Sequence, residues 1–245
     1  MTPAEPPVAV VTGGSRGLGQ HIVESFLARG YRVSTSSRTQ TDFTSQMLQD
    51  HPDRFHWTEV DLEQGDAAKS LVRSVVARFG RIDVLVNNAG YLHQELLLTT
   101  PRRQVDSLVA VNLVAPILVA QACARAMTAS GGGRILNVSS INAVRGHRGV
   151  SVYSAAKAGL DGFTRSLARE LGPMNILVNS VVPGYFDSDM TSGVTPENRT
   201  RIERRTPLQR LGTVEEVVAV VDFLTSPAAS FITGQTLVID GGLTC

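Results

Sequence analysis

Val8-Ala-Val-Val-Thr12-Gly13-Gly-Ser15-Arg16-Gly17-Leu18-Gly19 decides how the rest of the chain is read. Residues 8–12 are a short apolar run of the kind buried on both faces of a parallel sheet. The glycine turn follows directly, then an amphipathic helical pattern to about Arg29. Strand, glycine turn and helix in that order are the setting of a dinucleotide site. Glycine lets the backbone approach a pyrophosphate, and the helix N-terminus offers it unpaired N–H groups. The spacing is GxxxGxG rather than GxGxxG, so the buried strand in front of it carries much of the argument.

Outward from this turn the same alternation repeats. Residues 31–36 read as a second strand, with Arg38 just past its end, where dinucleotide folds face the adenosine ribose. An acid there accepts from a 2′-hydroxyl, whereas an arginine accommodates a 2′-phosphate. Residues 34–38 hold no acid, and Arg16 in the glycine loop reaches toward the same place, so NADPH is expected over NADH. The competing reading is two solvated surface charges. A third strand, 55–60, ends at Asp61-Leu62, where Asp61 is placed to accept from an adenine amino group. A helix over 64–79 leads to a fourth strand, 82–86, and the small polar turn Asn87-Asn88-Ala89-Gly90.

A long helical pattern spans 101–130, in which Pro116 starts a second segment or kinks the first. Asn112 falls inside its apolar stretch VAVNLVAP, so its amide needs a partner or serves a polar relay. The fifth strand, 134–138, delivers Ser139 and Ser140, and a helix over 151–171 carries Tyr153-Ser-Ala-Ala-Lys157. Residues four apart stack on one helix face. The Lys157 ammonium is thus expected to favour the Tyr153 phenolate, lowering the phenol toward neutral pH for proton transfer, with Ser140 donating to the same reacting oxygen. The sixth strand, 176–182, ends at Pro183-Gly184. Residues 185–210 are polar and weakly patterned, with a cluster of arginines from Arg199 to Arg205, and read as a substrate lid. A helix over 212–224 and a strand over 236–239 complete an α/β chain. The expectation is one domain over 1–245, a Rossmann-type doubly wound parallel sheet of about seven strands with helices on both faces.

Hydrophobic residues make up 42% and charged residues 18% of the 245, enough for a sizeable core and against disorder. A net charge of +1 indicates no nucleic-acid partner. Cys123 and Cys245 lack metal-ligand or CxxC spacing, so no metal and a reduced, cytoplasmic setting are expected. The leading MTPAEPP reads as a polar tail rather than a signal peptide, and no apolar run approaches the ~20 residues that span a membrane.

With TGGSRGLG, NNAG, Ser140, YSAAK and PG in one order, the chain resembles the short-chain dehydrogenase/reductase family. Within it, the NNAG, NVSS, VYSAAKAGL and DGG phrasing looks most like the 3-oxoacyl-(acyl-carrier-protein) reductase group. The resemblance implies that Thr12, Gly13, Gly17, Gly19, Asp61 and Asn88 serve the cofactor. It also implies a catalytic tetrad of Asn112, Ser140, Tyr153 and Lys157, and a homotetramer joined through the two long helices and the C-terminal strand region. It implies hydride transfer to a ketone, with Tyr153 as acid, Ser140 polarising the carbonyl, and Lys157 tuning the tyrosine and touching the nicotinamide ribose. Asn112 would anchor proton-resupplying water. One departure stands out: residues 129–133 and 172–175, where the group commonly carries cations that dock the acidic carrier protein, hold none. Arg102, Arg103 and the Arg199–Arg205 cluster are replacements, or the substrate differs. The readings left open are a β-ketoacyl thioester reductase of fatty-acid or polyketide metabolism, a reductase or dehydrogenase of a small free ketone or alcohol, and, remotely, a non-catalytic cofactor-binding regulator.

Overall fold

The computed structural model describes residues 5–186 and 195–245. Its strands are β1 (Val8–Thr12), β2 (Arg32–Ser37), β3 (Phe55–Glu59), β4 (Val84–Asn87), β5 (Gly133–Val138), β6 (Ile176–Pro183) and β7 (Thr236–Ile239). They form one sheet of seven parallel strands in the order β3-β2-β1-β4-β5-β6-β7. The order reverses between β1 and β4, which opens a crevice at the carboxyl ends of those strands.

The helices are α1 (Gly17–Ala28), α2 (Asp42–Asp50), α3 (Ala67–Phe79), α4 (Arg102–Val109), α5 (Ala115–Ala129), α6 (Ser151–Leu171), α7 (Pro196–Arg205) and α8 (Val214–Thr225). Side chains alternate across a strand, and β1 shows how that builds two layers. Val8 and Val10 pack into a core with Leu71 and Val75 of α3, Val119 and Cys123 of α5, and Leu167 and Leu171 of α6. Ala9 and Val11 pack on the other face with Ile22, Val23 and Phe26 of α1 and Val218 and Val221 of α8.

Three expectations change. Helix α2 was not anticipated, because DFTSQMLQD is mostly polar and buries only Thr44 fully. Its signal is Thr41, whose hydroxyl accepts from Thr44 N while Thr44 Oγ1 accepts from Thr41 N. Between α4 and α5 the chain neither breaks nor simply kinks at Pro116. It passes through one wide π turn, Ala110–Val114, and Pro116 then falls at the start of α5, where a missing N–H costs little. The helical stretch Arg102–Ala129 spans 28 residues and reaches a mean hydropathy of 1.9, apolar enough to cross a membrane, which corrects the expectation that no run approaches that length. Core helices meet the same criterion, and Val119, Ala120, Cys123 and Met127 of this stretch pack in the core. Of the 185–210 segment expected to form a lid, residues 187–194 lie outside the described residues, and Pro196–Arg205 is a regular helix capped by Thr195.

Candidate active site

The cofactor and serine residues singled out from sequence lie at or just beyond the carboxyl ends of β1 to β6, while Asn112 sits in the π turn and Tyr153 and Lys157 on α6. Among the expected cofactor contacts, Thr12 and Asn88 turn inward. Thr12 Oγ1 accepts from the backbone N–H groups of Asn88 and Ala89 at 3.0 Å each, and Asn88 Nδ2 donates to the carbonyls of Thr12 (3.0 Å) and Gly13 (3.2 Å). The two side chains stitch the turn after β1 to the turn after β4. Gly19 must be glycine because a Cβ there would collide with the Gly13 carbonyl and come within 2.5 Å of Asn88 Nδ2. Arg16 precedes α1 and makes no side-chain cap, so the first-turn N–H groups of that helix stay open. With Ser15, Gly17 and Leu18 between, this is a cradle that fits a pyrophosphate.

Arg16 and Arg38 are exposed at one end of this cradle. Asp61 and Leu62 are half-buried beyond β3, with the Asp61 carboxylate accepting from Glu63 N at 3.1 Å. At the other end Pro183 closes β6, and Gly184 N donates to the Ile239 carbonyl at 2.8 Å.

Tyr153 and Lys157 are 8% and 3% exposed, and the Lys157 ammonium lies 5.8 Å from the centre of the Tyr153 ring. Lys157 Nζ donates to the Val138 carbonyl at 2.8 Å. Burial pushes the ammonium down to about 8, with Asp161 one turn along α6 opposing the fall. Tyr153 departs from expectation. Burial raises its phenol, and a hydrogen bond with Ser140 only partly opposes this. The physical reason is that desolvation of the phenolate outweighs the partners this pocket supplies. Ser140 is the extended residue that leads from β5 into the short turn Ile141–Ala143, and its hydroxyl accepts from Asn142 N at 3.2 Å. Ser139 points away from this group, donating to the Lys157 carbonyl at 3.3 Å.

Asn112 is fully buried at the middle of the π turn. Its Nδ2 donates to the carbonyls of Tyr91 and Leu108 at 3.0 Å each, while its Oδ1 has no partner among the described residues. That oxygen faces Gly90: a Cβ at Gly90 would lie 2.7 Å from Asn112 Oδ1 and 3.4 Å from Lys157 Nζ. A buried carbonyl oxygen without a donor is costly, so the space beside Lys157 suits a water or substrate hydroxyl.

Several positioning residues escaped the sequence reading. Thr35, fully buried in β2, accepts from Gly14 N at 2.9 Å and fixes the glycine loop. Thr41 Oγ1 ties the start of α2 to the Ser15 carbonyl at 3.2 Å. Buried Asp161 accepts from Ser180 Oγ at 2.6 Å. Thr35 stands between Ser34 and Ser36 and Thr41 between Gln40 and Asp42, so nothing local in the sequence separates them from ordinary polar positions.

A family model described as enoyl-(acyl carrier protein) reductase matches residues 13–244. Structures of short-chain dehydrogenases superpose on the chain over nearly its whole length; one from Serratia marcescens is 33% identical, with a TM-score of 0.92 over 99% of this chain and 100% of that one. The chain belongs to the short-chain dehydrogenase/reductase family. Among its relatives in that family are two named 3-oxoacyl-(acyl-carrier-protein) reductase FabG. That of Vibrio cholerae is 35% identical over 98% of both chains, and that of Chlamydia muridarum 37% identical over 96% of both. A gluconate 5-dehydrogenase of Burkholderia cenocepacia, solved with NADP and tartrate, is 29% identical, with a TM-score of 0.91 over 97% of this chain and 95% of that one. As a short-chain dehydrogenase/reductase, the protein is an oxidoreductase acting on an alcohol or carbonyl group.

Proposed function

We propose that this short-chain dehydrogenase/reductase is an NADP(H)-dependent ketoreductase that reduces a β-ketoacyl thioester, carried by an acyl carrier protein, to the β-hydroxyacyl product. The observation that carries the proposal is the meeting of Ser140, Tyr153, Lys157 and the open oxygen of Asn112 beside a glycine cradle. The FabG relatives support the thioester. The NADP bound in the Burkholderia structure, with Arg16 and Arg38 exposed at one end of the cradle, supports the cofactor.

When bound, the cofactor supplies the hydride that reduces the ketone carbon. Ser140 donates to the carbonyl oxygen and draws electron density onto it. Tyr153 Oη gives its proton to that oxygen as the charge develops. Its raised pKa keeps the phenol protonated before the step. The Lys157 ammonium, protonated below about 8, stabilises the resulting phenolate. Asn112 Oδ1 orders the water from which Tyr153 is reprotonated. Gly13 to Gly19 and the N–H groups of α1 hold the pyrophosphate, with Asp61, Leu62, Ala89, Gly90, Pro183 and Gly184 lining the adenosine and nicotinamide ends. The proposed substrate lid is the 185–210 segment, of which Pro196–Arg205 is a helix.

The second reading, a small free ketone or alcohol, is favoured by one feature. Residues 129–133 and 172–175 end α5 and α6 without a cation for an acidic carrier. The test is NADPH oxidation with a carrier-bound β-ketoacyl chain, an acetoacetyl thioester and simple ketones. The carrier-bound chain is expected to lead in kcat/KM by about tenfold or more, and parity with small ketones selects the second reading. The assembly proposed is a cytoplasmic homotetramer. Val114 is 43% exposed, and Leu113, Ile117 and Leu118 beside it are half-buried, an apolar face suited to a second copy. Light scattering giving the 26.2 kDa monomer mass would overturn it.

A further inference from the structure

The amide of Asn112 is held on one side by the carbonyl of Tyr91, and the Tyr91 side chain is itself tied down. Tyr91 Oη donates to Ser107 Oγ at 2.6 Å and accepts from Gln104 Nε2 at 3.1 Å, both on α4. Ser107 Oγ then donates to Glu63 Oε1 at 2.6 Å. Glu63 lies two residues past Asp61, whose carboxylate accepts from the Glu63 N–H. The Tyr91 ring packs on the cluster of Leu108, Val150 and Tyr153.

We infer that Glu63, Ser107 and Tyr91 form a hydrogen-bonded strap that positions Asn112 for proton resupply, making Tyr91 a positioning residue of the reaction. Each hydroxyl in the strap both accepts and donates, so the bonds run in one direction and end on a carboxylate. Its last bond, to the exposed Glu63 carboxylate, is charge-assisted and short. The strap fixes the turn after β4 against α4, and that turn carries the Tyr91 carbonyl. With both Nδ2 hydrogens of Asn112 committed to Tyr91 and Leu108, the amide cannot flip, and Oδ1 is left aimed at the space beside Gly90 and Lys157. Removing the Tyr91 hydroxyl keeps the ring and its packing but frees the turn, and the carbonyl it carries, to shift.

The inference rests on the ketoreductase reading, and its test separates the two. Tyr91→Phe removes the bonds of its hydroxyl to Ser107 and Gln104 and is expected to lower kcat about threefold to tenfold, with KM for ketone and NADPH within twofold. The solvent deuterium isotope effect on kcat should rise, because proton resupply then limits turnover more. Ser107→Ala should reproduce both changes, the double variant should lose no more than the worse single, and Ser107→Thr should restore the parent values. Exchange of the 107–114 backbone amides with deuterium should quicken in Tyr91→Phe whether or not substrate is present. Unchanged exchange and isotope effect, or losses that add in the double variant, overturn the strap. Absence of ketone turnover in the parent overturns the functional reading instead, and the exchange measurement still decides the strap.

Discussion

His56 and Lys157 are both basic groups that burial pushes toward the neutral form, and the surroundings built for them differ. His56, on β3, is met on both ring nitrogens: Nδ1 by Ser34 Oγ at 3.0 Å and Nε2 by Ser74 Oγ at 3.3 Å. Nothing is left for a visitor to bind, and the ring serves to join β2, β3 and α3. Lys157 has one bond, to the Val138 carbonyl, beside an asparagine oxygen with no partner and a tyrosine whose phenol is held protonated. A closed polar cluster stabilises a fold, whereas an open one awaits the groups that complete it. Direction of pKa shift alone does not distinguish them; the count of unfilled hydrogen-bonding positions does.

The largest effect expected of the open cluster is in Tyr153→Phe. Proton transfer by a positioned acid contributes about 10²–10⁴ in rate, so kcat should fall by that much while circular dichroism and NADPH affinity persist. Turnover within tenfold of the parent would remove Tyr153 from the reaction.

Lys157 tests the same side through pH. Because the ammonium is pushed down to about 8, it is charged below that pH and neutral above. The parent's kcat should therefore decline as pH rises through about 8, and Lys157→Met should lose this dependence along with about 10² of the rate. A parent profile flat between pH 7 and 9 would show that the cation is not needed.

In the proposed function, Arg38 carries the open side to the cofactor's far end. Hydrogen bonds to a charged phosphate contribute about 1.5–3 kcal/mol, so NADPH should be preferred over NADH by tenfold or more. The preference should shrink with ionic strength because both arginines are exposed. Arg38→Asp should invert the preference in kcat/KM, since a carboxylate repels the phosphate and accepts from a ribose hydroxyl. An unchanged ratio would move selectivity to Arg16.

The smallest effect belongs to the closed cluster. The folded His56 resists protonation, with burial the main cause and Arg78 adding to it, so below its ordinary 6.5 the unfolded chain binds the proton first. Stability from this group is present above 6.5 and is lost as pH falls toward the lowered value. His56→Gln should flatten the acid side of a Tm-against-pH curve without changing kcat. A change in kcat would mean that the cluster reaches the reaction after all.

The sequence by itself determined the sheet, the glycine cradle and the Ser140-Tyr153-Lys157 group. Each is written in local pattern or in residues close along the chain: the apolar runs of β1, β4, β5 and β6, GxxxGxG opening α1, and the i, i+4 pair on α6. Helix α2 was lost because its few apolar residues make too faint a stripe, and its cap relies on a Thr–Thr pair rather than the usual acid. Only the tertiary structure decided what depends on residues distant in sequence. Burial by elements packed from elsewhere raises Tyr153 where its helix neighbour alone predicted a fall. The stitching of Thr12 to Asn88, and of Glu63 through Ser107 to Tyr91, joins loops that no periodicity relates. Hydrogen bonds and desolvation act over a few ångströms of space whatever the separation along the chain, so the open oxygen of Asn112 emerges only when the strands have brought their carboxyl ends together.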